Sequence, residues 1–129
     1  MKKLILLIVG LIISFTAFAQ SGYFNAYEFS YKLMKSNGSW TNWSNWESVN
    51  INVKIDVTND KVIIYSDEPQ IYHILQQETA PYDSNGEQIK FQIIDQDGDY
   101  GYLRFRRQSN GTLQIYIDFA DIKWVYNIE

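Results

Sequence analysis

The sequence predicts an all-β protein of about eight antiparallel strands in up-and-down order. These would form a small closed or nearly closed barrel, with a two-sheet β-sandwich as the alternative. Three observations predict it. Apolar and polar residues alternate along most of the chain, as in a strand with one wet face and one dry face. Six turn signals separate these runs, among them Asn37-Gly38, Asp97-Gly98 and Asn110-Gly111, which tolerate the positive φ of tight hairpins. Past the N-terminal segment, no stretch carries a helical period long enough to form a helix.

Residues 1–19 stand apart. Lys2 and Lys3 precede an apolar run from Leu4 to Phe15, and Ala17-Phe18-Ala19 forms a small-x-small end before Gln20. This is the pattern of a secretory signal peptide, cleaved between Ala19 and Gln20. The run falls short of the roughly 20 residues that span a bilayer. The expectation is a signal peptide over 1–19 and a single all-β domain over 20–129, exported to the periplasm or the outside.

The strands follow in order. The first is read at Tyr27, Phe29, Tyr31 and Leu33, alternating with Glu28, Ser30 and Lys32. The clearest is the second, where Val49, Ile51, Val53, Ile55 and Val57 alternate with Ser48, Asn50, Asn52, Lys54 and Asp56. A helix would scatter those five apolar residues around its circumference. Val62 to Tyr65 and Ile71 to Leu75 are short β-branched runs. Ile89, Phe91 and Ile93 make the fifth strand, Leu103 and Phe105 the sixth. Leu113, Ile115, Ile117 and Phe119 make the seventh, and Ile122, Trp124, Tyr126 and Ile128 the eighth. The remaining breaks are Asn59-Asp60, Asp67-Glu68-Pro69, Ser84-Asn85-Gly86 and a weaker Ala120-Asp121. Short turns make sequence neighbours pair, and closure removes the edges that an up-and-down sheet would otherwise expose.

Composition narrows the class. Removing residues 1–19 leaves 110 residues, with nine basic side chains against fifteen acidic ones and a net charge of about −6. That balance disfavours a nucleic-acid surface, which needs clustered cations, and no nucleic-acid partner is expected. Arg104, Arg106 and Arg107 form the one basic cluster, read as a solvated sheet face. The chain has no cysteine, so disulfides cannot staple it and a lipid-bearing cleavage-site cysteine is excluded. No stable membrane anchor is expected after signal removal. Four Trp, ten Tyr and five Phe remain, residues suited to half-buried pleated surfaces.

Few motifs carry chemistry. Asp95-Gln96-Asp97-Gly98-Asp99 resembles a calcium loop only at first sight. Gly98 follows two spaced acids, and Arg106 stands where the closing Glu belongs. A polar hairpin turn is the reading, with no metal and no cofactor. His73 is the one histidine and has no zinc-type or triad partners. Fifteen acids make chance carboxylate pairs certain, so a glycosidase pair is not legible. Trp40, Trp43 and Trp46, spaced by three, are the best site candidate. In a straight strand Trp40 and Trp46 share a face; in a threefold extended helix all three align. They would either stack on a ligand or cap an open end of the core.

Taken together, the Ala-Phe-Ala signal end before Gln20, the Trp-rich turn, Val62-Ile63-Ile64-Tyr65-Ser66, Asp97-Gly98 and the ending Ile122-Lys123-Trp124-Val125-Tyr126 resemble a group of small exported β-proteins of Bacteroidetes bacteria. The resemblance implies export and an all-β fold, and brings no catalytic residues. Gly38-Ser39-Trp40 also resembles the Gly-x-Trp start of lipocalin-like barrels, although here it follows the first strand. The functional expectation is an exported, soluble, non-enzymatic module that binds a small molecule, a glycan or a protein. The alternatives are a small carboxylate-dependent hydrolase and an eight-strand outer-membrane barrel.

Overall fold

The computed structural model describes residues 21–56, 58–78 and 86–129. Its elements are eight strands: β1 (Ser21–Leu33), β2 (Glu47–Asp56), β3 (Lys61–Ile64), β4 (Gln70–Glu78), β5 (Gly86–Ile94), β6 (Tyr100–Gln108), β7 (Leu113–Asp118) and β8 (Ile122–Ile128). Each pairs antiparallel with its sequence neighbours, and β1 also pairs with β8, closing the ring. This is the up-and-down barrel that the alternation and turns predict. The sandwich alternative does not form.

The turns do what their residues dictate. Gly38, Gly98 and Gly111 hold φ of 86°, 85° and 89°, the left-handed region that an L side chain disfavours. Asp60 adopts φ 50° in the tight β2–β3 turn. Of the six turn signals, Ser84-Asn85-Gly86 lies mostly outside the described residues, as does Val57 at the end of the second predicted strand.

Inward positions carry the apolar set of the alternation. Val53, Ile55, Val62, Ile64, Phe91, Ile93, Leu103, Ile115 and Ile117 are fully buried in one cluster. The barrel is therefore filled with side chains, as a ring of eight strands permits. Phe29, Phe119 and Trp124 pack against this cluster, and Phe29 and Phe119 meet Tyr126 and Trp124 at ring distances of 5.3 and 5.8 Å. Inside, Gln70 bridges two buried phenols. Its Oε1 accepts from the Tyr72 hydroxyl at 2.6 Å, and its Nε2 donates to the Tyr126 hydroxyl at 3.2 Å. Burial pushes both phenols above their ordinary value.

Two differences from the sequence reading have a physical cause. β1 starts at Ser21, six residues before the expected Tyr27, because Gly22, Asn25 and Ala26 are weak strand formers taken up by pairing with β2. A β-bulge between Ala26 and Glu28 then resets its parity. Phe24 and Ala26 point inward before the bulge, and Phe29 joins the core after it. On β8, Val125 is buried although it alternates with the inward residues; it faces outward and is covered from outside.

Candidate functional site

Outside β1 runs the β1–β2 connection, whose Ser44 carbonyl accepts from the buried Ser30 hydroxyl at 2.7 Å. Its tip is a tight hairpin in which the Gly38 N–H donates to the Lys35 carbonyl at 2.9 Å and Asn37 Oδ1 accepts from the Ser39 N–H at 3.0 Å. The chain then returns along the exposed edge of β1. Thr41 N–H donates to the Leu33 carbonyl at 2.8 Å, and Ser44 N–H to the Tyr31 carbonyl at 2.7 Å. In return, Thr41 Oγ1 accepts from Leu33 N–H at 3.0 Å and Ser44 Oγ from Tyr31 N–H at 3.0 Å. Two hydroxyl residues three apart thus satisfy a strand edge that β2 no longer reaches.

That period of three fixes the indoles. Trp40 and Trp43 share a side: the Lys32 Nζ lies 5.8 Å from the Trp40 ring and 4.9 Å from the Trp43 ring. Lys123 Nζ stands 4.8 Å from Trp40, next to Lys32 in the β1–β8 register. Trp43 meets Tyr116 edge-on at 6.1 Å. Trp46 makes no ring contact with either. It stands 47% exposed at the start of β2, while Trp43 is 39% exposed and Trp40 half-buried. None of the three belongs to the core cluster; Phe29, Phe119 and Trp124 pack there instead.

Beyond Tyr116 a polar network runs over the outer wall. Arg104 lies 4.1 Å over the Tyr116 ring. Its Nε donates to Asp118 Oδ2 at 2.7 Å, and its Nη1 to Gln88 Oε1 at 3.2 Å. The Tyr116 hydroxyl donates to Gln114 Oε1 at 2.9 Å. Gln114 Nε2 donates to Asn127 Oδ1 at 2.9 Å, and Asn127 Nδ2 to Glu28 Oε1 at 3.1 Å. Burial raises the Tyr116 phenol, with Arg104 and Arg106 pulling the other way, so it stays a neutral donor at neutral pH.

Two open grooves flank the Trp40–Trp43 pair. One, of about 620 Å³, is lined by Lys32, Trp43, Gln88, Arg104, Arg106 and Tyr116 among others. The other, of about 460 Å³, is lined by Trp40, Lys90, Tyr102, Asp118, Phe119 and Lys123 among others. Gly101 shapes its floor: a Cβ there would sit 2.8 Å from the Phe119 ring. Five of the nine basic residues of the 20–129 segment therefore line one wall.

Sequence reasoning singled out the tryptophans and missed Lys32, Lys123, Arg104, Tyr116 and Asp118. Each occupies the polar slot of an alternating strand, and only the cross-strand register brings them together. The remaining candidates lie elsewhere. Asp95, Asp97 and Asp99 bring carboxylate oxygens within 4.8 Å of one another. Asp95 Oδ1, however, accepts the Asp97 and Asp99 N–H groups at 2.9 Å each, as a hairpin turn requires. His73 is exposed, opposite Lys61 and Ile94. Compared with known protein families, curated proteins and solved structures, the chain has no significant match.

Proposed function

We propose that this chain is an exported, soluble, non-enzymatic binding module whose ligand surface is the outer wall around Trp40 and Trp43. The observation that carries this reading is the half-exposed Trp43 indole at the rim of a groove lined by Lys32, Arg104, Arg106 and Gln88. An aromatic platform beside cations and amides suits a sugar-like ring bearing negative charge. The facing of the strands supports solubility: apolar residues fill the interior, while Lys32, Arg104, Gln114 and Lys123 stand on the outside. A membrane barrel turns its apolar band outward. Against hydrolysis, the wall carboxylates have other duties: Asp118 pairs with Arg104 and Glu28 accepts from Asn127.

A screen of acidic and neutral glycans tests it, followed by Trp43→Ala and Arg106→Gln on any hit. The expected result is binding that salt weakens, lost in both variants with little change in melting temperature. Unchanged binding, with a melting temperature that falls in Trp43→Ala, would leave the indole as a clasp holding the β1–β2 connection to the wall.

A further inference from the structure

We infer that the ligand of this wall is a linear acidic polysaccharide long enough to fill both grooves at once. The inference rests on the reading of the wall around Trp43 as a ligand surface and extends it to the second groove. The two grooves carry the same chemistry. In one, Lys32 Nζ stands 4.9 Å from the Trp43 ring, and Arg104 stands 4.1 Å from the Tyr116 ring. In the other, Lys123 Nζ stands 4.8 Å from Trp40, and Lys90 Nζ stands 4.2 Å from Tyr102. Each aromatic therefore has a cation within reach of a group borne by a ring laid against it. That suits a sugar whose carboxylate or sulfate sits on the stacked ring itself. In a nucleic acid the phosphate is separated from the stacking base by a sugar. Tyr100 and Tyr102, 65% and 37% exposed at the start of β6, gain a role as the platform of the second groove.

The grooves adjoin. Arg104 lines one and Asp118 the other, and the 2.7 Å ion pair between them is where the two meet. The register gives the span. Lys32 is the partner of Lys123, and Lys90 of Arg104. From Lys123 on β8 to Lys90 on β5 is three strand spacings, roughly 14 Å along the wall. One sugar ring does not bridge that distance, whereas successive units of a chain do. Once one unit is held, the next is kept close to its own groove, so length adds affinity. Charge directs the polymer to this path. Among the described residues Asp118 is the one acid lining the grooves, and Arg104 and its register partner Lys123 offset it. The other fourteen acids of the 20–129 segment are accompanied by only four cations, so the rest of the surface repels a polyanion.

Titration calorimetry with fragments of two and eight sugar units tests this. One series comes from polygalacturonate, which carries carboxylate alone, and one from heparin, which also carries sulfate. In at least one series the eight-unit fragment should bind one per chain and at least about tenfold more tightly than the two-unit fragment. The series that shows the gain identifies the anion. Lys90→Gln, in the groove away from Trp43, should lower the affinity for the long fragment about tenfold with an unchanged melting temperature. Polyglutamate and a thymidine oligonucleotide of matching charge should bind more weakly than the long fragment. Equal affinity for short and long fragments, or a Lys90→Gln chain that loses nothing, overturns the extension and leaves the Trp43 site standing. Polyglutamate or the oligonucleotide binding as tightly as the long fragment overturns the assignment to a polysaccharide. No binding in either series overturns the extension and the reading on which it rests.

Discussion

Around the ring, the β5–β8 wall and the β3 seam differ in how they hold together. The wall joins strands of nine, nine, six and seven residues. Its outside adds the Arg104–Asp118 bridge and a run of side-chain hydrogen bonds from Tyr116 to Glu28. The seam depends on a four-residue strand, Lys61–Ile64. Its inner face is equally apolar, with Val62 and Ile64 fully buried, yet its neighbours β2 and β4 run past it. Burial is even around the ring while backbone pairing is not. Local opening follows the weaker of the two, so the seam is where this barrel opens first, and the wall is rigid enough to present a surface.

The largest test of this comparison attacks the core that both sides share. Val53→Asp puts an unpaired charge at a fully buried position on β2, beside the seam. The expected cost is several kcal/mol, a large part of the ~5–15 kcal/mol that holds a domain together. Lys54→Asp, on the outer face, should cost well under about 1 kcal/mol. Equal losses in urea melts would mean that the facing of β2 is wrong.

A smaller effect separates the two regions. Phe91→Ala on β5 should cost about 3–5 kcal/mol, because a paired wall cannot collapse into the cavity. Ile64→Ala on β3 removes less volume beside a strand freer to shift, and should sit at the low end of about 2–5 kcal/mol. Amide exchange sharpens the point. Protection at Val62 and Ile63 should fall below that at Leu103 and Phe105 in the unaltered chain, and uniform protection around the ring would erase the distinction.

The smallest effects come from pH. The Asn59 side chain, bonded at 3.0 Å, holds the Asp56 carboxyl below its ordinary value, aided by the Asn59 N–H and by Lys54 and Lys61 against burial. A depressed carboxyl stabilises the fold above its unfolded value of about 3.9 and loses that contribution as pH falls through the folded value. Asn59→Ala should therefore flatten the acid limb of the stability profile, at the seam's own turn. Tyr72, Tyr116 and Tyr126 act in the opposite sense. Their raised phenols leave stability intact below about pH 10 and erode it above, as the unfolded chain ionises first. Ultraviolet titration should show these phenols ionising only with unfolding; early ionisation of all ten tyrosines would contradict their burial.

How much of this was legible in the sequence depends on which forces act locally. Val53, Ile55, Ile115 and Ile117 could be placed inside from alternation alone, because a strand's facing is a property of its own residues. The start of β1 could not, since Gly22 to Ala26 gain their strand from β2 and a bulge then breaks the period. Val125 and Ser30 read as wet positions and are buried, Ser30 against Ser44 of the returning connection. The tryptophans stood out by type and spacing, but their partners did not. Lys32 lies ninety-one residues from Lys123, and Arg104 fourteen from Asp118. Those pairings exist only once every register between them is set.

The pairing that closes the ring has a consequence in time. The bonding of β1 to β8 runs on past the last ladder pair, with Asn25 and Glu129 exchanging N–H and carbonyl bonds at 2.9 Å. A chain made from its N-terminus therefore holds β1 half-paired until Ile122–Ile128 has left the ribosome. Joining ends a hundred residues apart is the slow, entropically costly contact of such a topology. β8 acts as the latch: until it docks, β1 keeps one edge open and the ring stays unclosed.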